Sequence, residues 1–172
     1  LPVLTEVKGK EINTDENEPT HILIEGDNYH ALSVLNYTHK GKIDLIYIDP
    51  PYNTGSKDNV FIYNDKIIDK NDTYRHSKWL NFMFKRLDLA KALMKDEATI
   101  YISIDDNSVS QLRLLCNKVF GEDNFIAILP TIMNLKGNQD QFGFAGTHEY
   151  TIVYAKNKAS ASSNITPSPT IR

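Results

Sequence analysis

The apolar positions of this chain switch between strand-like alternation and helix-like spacing, and the switches mark out its elements. His21 to Glu25 reads as a short strand ended by Gly26-Asp27, and Tyr29 to Leu35 carries helical spacing at Leu32 and Leu35 before Gly41 breaks it. Ile43-Asp44-Leu45-Ile46-Tyr47-Ile48 is interrupted only by Asp44 and is rich in β-branched and aromatic residues, which predicts a strand covered on both faces of a parallel sheet. Residues 53–75 hold few helical signals and many Asn, Asp and Lys, a loop longer than a connection needs; within it, Asn59 to Tyr63 predicts a small edge strand. Ser77 caps a long helix in which Leu80, Met83, Phe84, Leu87, Ala90, Leu93 and Met94 recur at helical spacing. Ala98 to Ile104 reads as the next strand. Asp106 or Asn107 then caps a helix with Leu112, Leu115, Cys116 and Val119 on one side and Gly121 as its terminator. Phe125 to Met133 is strand-like but broken by Pro130, residues 134–147 form a Gly- and Asn-bearing loop, and Tyr150 to Lys156 is the last strand.

Strands alternating with helices predict a three-layer α/β domain with a mostly parallel sheet. Residues 1–20 read as a polar leading arm, 21–158 as the packed domain, and 159–172 as a Ser/Pro-rich linker or the frayed end of a chain cut short. The 172 residues suffice for one domain with a sizeable core, and 41% hydrophobic with 24% charged residues is ordinary for a soluble globular protein. A net charge of −3 gives no overall attraction to nucleic acid, so such binding would rest on local groups: Lys136, Lys156 and Lys158, or Arg75, His76 and Lys78. Cys116 is the only cysteine, which excludes an internal disulfide and reads as a buried, inert thiol. No run reaches transmembrane length and the start lacks a signal peptide's regions, so a cytoplasmic protein without membrane attachment is expected.

The richest chemistry lies in Asp49-Pro50-Pro51-Tyr52. Neither proline can donate a backbone hydrogen bond, and each biases the preceding residue away from helix, so the strand must stop and the chain must leave extended. The carbonyls of Asp49 and Pro50 are thereby left without ladder partners at the C-terminal end of a strand, where open α/β sheets bind ligands. A planar ring bearing an exocyclic amino group needs two acceptors for its two N–H bonds and an aromatic face to stack on. Asp49, the Pro50 carbonyl and Tyr52 supply that set. Elsewhere the bland readings suffice. Adjacent carboxylates on a strand point apart, so Asp105-Asp106 reads as capping; Trp79 reads as packing and Arg86 as solvated. His148-Glu149 lacks partners at metal-ligand spacing, and no metal is expected. Phe142-Gly143-Phe144-Ala145-Gly146 precedes a strand instead of opening a helix, and reads as an ordinary loop.

Asp-Pro-Pro-Tyr after a hydrophobic strand is similar to the catalytic motif of amino-group DNA methyltransferases. Further segments occur in a matching order: Ile24-Glu25-Gly26-Asp27-Asn28-Tyr29-His30-Ala31-Leu32; His76-Ser77-Lys78-Trp79-Leu80 with Arg86-Leu87; and Tyr101-Ile102-Ser103-Ile104-Asp105-Asp106-Asn107. Phe120-Gly121-Glu122-Asp123-Asn124-Phe125 and His148 to Asn157 complete a series that resembles the modification (Mod) subunit of bacterial type III restriction-modification systems. The resemblance implies a Rossmann-like, S-adenosylmethionine-dependent methyltransferase fold, incomplete here because the family's Phe-x-Gly-x-Gly cofactor loop is not found in these residues. It further implies methyl transfer to adenine N6 in duplex DNA, since relatives acting on cytosine N4 more often carry Ser in place of Asp49. Asp49, Pro50, Pro51 and Tyr52 would be catalytic and would border the cofactor together with Asp27; Tyr52, Asn53 and Thr54 would contact the base. The implied partners are double-stranded DNA, a second Mod copy and a restriction (Res) helicase-nuclease subunit. A cytosine-N4 or RNA substrate, and a non-catalytic DNA-binding or subunit-docking fragment, remain open alternatives.

Overall fold

The structure, a computed structural model, describes residues 2–10, 18–53, 62–63, 66–67, 72–133, 138–139 and 145–161. Its helices are α1 (Asn28–Thr38), α2 (Arg75–Leu93), α3 (Val109–Phe120) and α4 (Lys158–Ala161). The strands are β1 (Ile43–Ile48), β2 (Ile62–Tyr63), β3 (Lys66–Ile67), β4 (Met94–Ile104), β5 (Phe125–Ile132), β6 (Asn138–Gln139), β7 (Ala145–Gly146) and β8 (His148–Ala155). The main sheet runs β1-β4-β8-β5, while β2-β3 and β6-β7 form two small pairs. β1 is parallel to β4, whereas β8 lies antiparallel to both β4 and β5. The expected α/β architecture is present, but the sheet is mixed instead of mostly parallel. The chain returns from β5 to β8 through the β6-β7 pair, and a hairpin-like return sets strands antiparallel where a crossover helix would set them parallel.

One face of the sheet holds the core. Ala98, Ile100, Ile102 and Ile104 alternate inward along β4, flanked by Ile46 and Ile48 of β1 and by Ile152 and Tyr154 of β8. Trp79, Met83, Leu87 and Ala90 of α2 and Leu112, Leu115, Cys116, Val119 and Phe120 of α3 close over them. Burial pushes the Cys116 thiol up to about 12, as an inert core cysteine requires. The other face of β1 corrects the expectation of a doubly covered strand: Leu45 and Tyr47 are 56% and 61% exposed. Among the described residues β1 is an edge strand of this sheet, hydrogen-bonded to β4 alone.

Several local expectations change for identifiable reasons. His21 to Glu25 forms no strand, and Ile22 and Leu23 stand exposed, because a strand-like pattern needs a partner strand to pair with. Helix α2 begins at Arg75, ahead of Ser77, where the Asp72 carboxylate accepts the Tyr74 N–H at 2.8 Å and the Lys78 ammonium at 2.6 Å. Met94 opens β4 instead of closing the helix. Neither Asp106 nor Asn107 caps α3; Ser108 precedes it, and Asp105 accepts the Asn107 backbone N–H at 3.0 Å in a local turn. Pro130 does not break β5, because β5 is an edge strand and a missing N–H is tolerated there. Gly121 ends α3 as expected, at φ +96°, a conformation that favours glycine. Of the expected 59–63 strand, Ile62–Tyr63 pairs with Lys66–Ile67 and residues 59–61 lie outside the described residues.

Candidate active site

The turn after β1 is fixed from below by α2. The indole N–H of fully buried Trp79 donates to the Pro51 carbonyl at 2.7 Å, so Trp79 both packs the core and pins the turn. At the next residue, the Tyr52 hydroxyl donates to Glu149 Oε2 at 3.0 Å while the lower part of the ring packs against the core. Asn53 follows at φ +24°, 1% exposed, with its carboxamide against His76 Nδ1 at 3.1 Å and its Oδ1 buried without a hydrogen bond. Asn53 therefore faces the N-terminal turn of α2; Thr54 lies outside the described residues. Among the described residues no backbone N–H donates to the Pro50 carbonyl.

Asp49, Pro50, Pro51 and Tyr52 form one wall of an open cleft of about 560 Å³, within the range of small-molecule sites. Strand polarity assembles the rest. The C-terminal ends of β1 and β4 share an edge of the sheet with the start of antiparallel β8, which places Glu149 opposite Tyr52. Across the floor runs a band of hydroxyl groups. Tyr47 Oη lies 2.7 Å from Ser103 Oγ, Ser103 is in register with Thr151, and Thr151 Oγ1 is 3.5 Å from Thr131 Oγ1. Beside the cleft, the Tyr150 hydroxyl donates to Asp106 at 2.8 Å, tying the start of β8 to the turn before α3.

The described lining residues of the cleft are acidic on balance. No lysine or arginine is found among its described lining residues, while Asp49 and Glu149 both contribute carboxylates. Such a site attracts a cation or a neutral polar ring and repels phosphate. The Tyr52 hydroxyl is held well above the usual phenol range, chiefly by burial, then by its bond to Glu149 and by the neighbouring Asp49 charge. It is a neutral donor at physiological pH.

The remaining candidates are placed elsewhere. Asp27 caps α1, accepting from the backbone N–H groups of Tyr29 at 2.9 Å and His30 at 3.2 Å, and its second oxygen pairs with Arg86 at 3.2 Å. Arg86 is not solvated as expected; it lies 3.6 Å over the Phe82 ring and donates to Asn28 Oδ1. Asp27 is absent from the cleft lining, both its oxygens being engaged in holding α1 to α2. Lys156 bonds the Met94 carbonyl and Asp96, and Lys158 the Phe125 carbonyl, at the end of the sheet away from the cleft. Arg75, His76 and Lys78 are on the cleft side, at the start of α2 beside Asn53; Lys136 is outside the described residues. Among the described residues no group of three or more His, Cys, Asp or Glu is placed to hold a metal, and no helix is long and apolar enough to cross a membrane.

Sequence reasoning weighed Glu149 only as a metal ligand beside His148, and passed over the hydroxyl band. Their signal is a polar residue at the mouth of an otherwise apolar strand, and it acquires meaning only once β8 is known to run antiparallel.

Residues 43–170 match the family model described as DNA methylase. The Mod subunit of the type III restriction-modification enzyme EcoPI, from Escherichia phage P1, is 45% identical over 179 residues, covering 91% of this chain and 27% of that protein. The EcoP15I Mod subunit of Escherichia coli is 37% identical over the same shares. The chain thus spans 27% of the length of these curated relatives. Among solved structures, the Thermus thermophilus protein TTHA0409 shares the fold with a TM-score of 0.54 at 13% identity, over 85% of this chain and 54% of that one.

Proposed function

The chain belongs to the DNA methylase family, and on that premise we propose that it forms the base-binding part of a methyltransferase that moves a methyl group from S-adenosylmethionine to the N6 amino group of adenine in duplex DNA. The observation that carries this reading is the Asp49–Tyr52 turn. Asp49, Pro50 and the Tyr52 ring line one cleft at the end of β1, where Trp79 holds the neighbouring Pro51 carbonyl and Glu149 holds the Tyr52 hydroxyl.

The amino nitrogen of adenine is out of reach inside the base stack, so the nucleotide must be extruded into the cleft. The sign of the cleft suits that event: an uncharged base enters while its phosphates stay outside. Tyr52 stacks on the base, and Asp49 and the Pro50 carbonyl accept its two amino hydrogens. Those bonds draw the nitrogen lone pair out of conjugation and aim it. Orientation of this kind supplies several kcal/mol, on the order of 7–11 in favourable intramolecular models. The amino proton becomes acidic as nitrogen forms its new bond, and it leaves through Asp49 or to water, so Asp49 need not be a strong base.

The cofactor supplies an electrophilic methyl group on a positively charged sulfur. The two carboxylates of the cleft, without a described lining cation, fit that charge, and Asp49, Pro50, Pro51 and Tyr52 would border it. Asn53 shapes the turn from behind, and Asp27 serves the α1 cap and Arg86. In keeping with the similarity to Mod subunits, the intact protein acts on a specific duplex site, pairs with a second copy of itself, works in the cytoplasm and associates with a restriction helicase-nuclease. The test is tritiated methyl transfer by the full-length protein to duplex DNA, followed by nucleoside analysis. N6-methyladenine is expected; N4-methylcytosine, or label only in RNA, would overturn the reading.

A further inference from the structure

We infer that Glu149 is a positioning residue of this site, holding the Tyr52 ring at the tilt at which its face receives the extruded base. The inference rests on the function proposed above and assigns a role to a residue 97 positions away from the turn it serves. Two ends of Tyr52 need fixing. Its backbone end follows two prolines, whose rings lock φ, and the Pro51 carbonyl is held by the Trp79 indole at 2.7 Å. Packing against the core limits rotation about the side-chain bonds, and the rotation that remains would swing the outer part of the ring across the cleft. The hydrogen bond from Tyr52 Oη to Glu149 Oε2, 3.0 Å long, removes that freedom at the far end. It is charge-assisted, and so stronger than a bond between neutral groups.

Glu149 is itself held on a fixed frame. It sits in register with Thr131 of β5, and the adjacent Tyr150 is anchored by its hydroxyl to Asp106 at 2.8 Å and by an edge-on contact with His148 at 5.1 Å between ring centres. The start of β8 is thereby clamped to β5 on one side and to the turn between β4 and α3 on the other. Glu149 does not touch the transferred group; it acts through Tyr52.

A double-mutant cycle in the full-length protein tests this, with single-turnover methylation and DNA affinity as readouts. Glu149→Ala lowers the single-turnover rate by about tenfold, the effect of one lost orienting hydrogen bond, and leaves DNA affinity unchanged. Tyr52→Phe, which removes only the hydroxyl, gives a similar loss, and the double variant is no slower than the slower single one, because both changes delete the same bond. Glu149→Gln, which keeps an acceptor oxygen and the shape, recovers most of the rate. With 2-aminopurine at the target position, Glu149→Ala fluoresces more brightly than the parent, the base being less well stacked. Multiplied losses in the double variant, or a Glu149→Ala rate equal to the parent's, would overturn the inference. Asp49→Ala run alongside separates the two claims, since methylation surviving that change defeats the proposed function itself.

Discussion

Replacing Trp79 by Phe separates the two duties assigned to this side chain. Trp79 is fully buried, and its indole N–H is the donor to the Pro51 carbonyl. Phe keeps an aromatic ring in the core but removes that donor, leaving a carbonyl unsatisfied at a cost of about 1–3 kcal/mol. The smaller ring also leaves a void, which adds on the order of 1 kcal/mol. The sum, about 2–4 kcal/mol, corresponds to a fall in melting temperature of roughly 4–16 °C for a domain of this size. Stability alone would not implicate the turn, so Leu87→Ala serves as the control. Leu87 is equally buried on α2 and makes no bond to the turn, and its truncation costs about 2–5 kcal/mol. Urea unfolding followed by far-UV circular dichroism ranks the two variants, since Trp79 is the chain's single tryptophan, and methylation by the full-length protein is then measured well below both transitions. The expected result is similar destabilisation, with turnover lost in Trp79→Phe and retained in Leu87→Ala. Equal turnover in the two would refute the claim that the indole holds the turn.

Other consequences follow from named contacts. Asp49→Ala abolishes methylation while leaving specific DNA binding largely intact, read by mobility shift beside the methyl-transfer assay. Arg86→Ala releases Asp27, Asn28 and the Phe82 ring together and destabilises by about 1–2 kcal/mol, and Arg86→Lys does not restore it because an ammonium cannot make the forked, stacked contact. The thiol of Cys116 is raised from 9.0 to about 12 in the folded chain, so the stability it contributes is complete below pH 9 and is lost as pH rises from 9 toward 12, at about 1.4 kcal/mol per pH unit. Cys116→Ala should therefore flatten the alkaline limb of a stability–pH curve. Asp72 behaves oppositely: the Lys78 ammonium and then the Tyr74 N–H lower its pKa, so its contribution is present at neutral pH and lost on acidification, and Asp72→Asn should flatten the acid limb.

How much of this could be read in advance depends on how local each cause is. β1 and the turn after it were legible because an apolar run followed by two prolines dictates a strand end whatever the rest of the fold does. The inward sides of α2 and α3 were legible for the same reason, their spacing being imposed by the helix itself. Pairing was not legible. Residues 21–25 carry a strand's alternation without a partner, and β5 to β8 reads as two more strands of a parallel sheet until the return connection sets them antiparallel. The pairing of Glu149 with Tyr52 was invisible for that reason, since only the reversed direction of β8 brings its first residues to the edge where β1 ends. The capping of α3 failed on a smaller scale: Asp105 turned back on Asn107, and Asp106 was drawn away to Tyr150.

In the proposed function an extruded base stacks on Tyr52 in the cleft between Asp49 and Glu149. Once methylation has fixed the target position, 5-iodouracil placed there in duplex DNA can be irradiated in complex with the full-length protein and the crosslinked peptide mapped by mass spectrometry. The expected result is a crosslink on Tyr52 that disappears in Tyr52→Ala while DNA binding persists. A crosslink on another part of the chain, with Tyr52 unmodified, would contradict it.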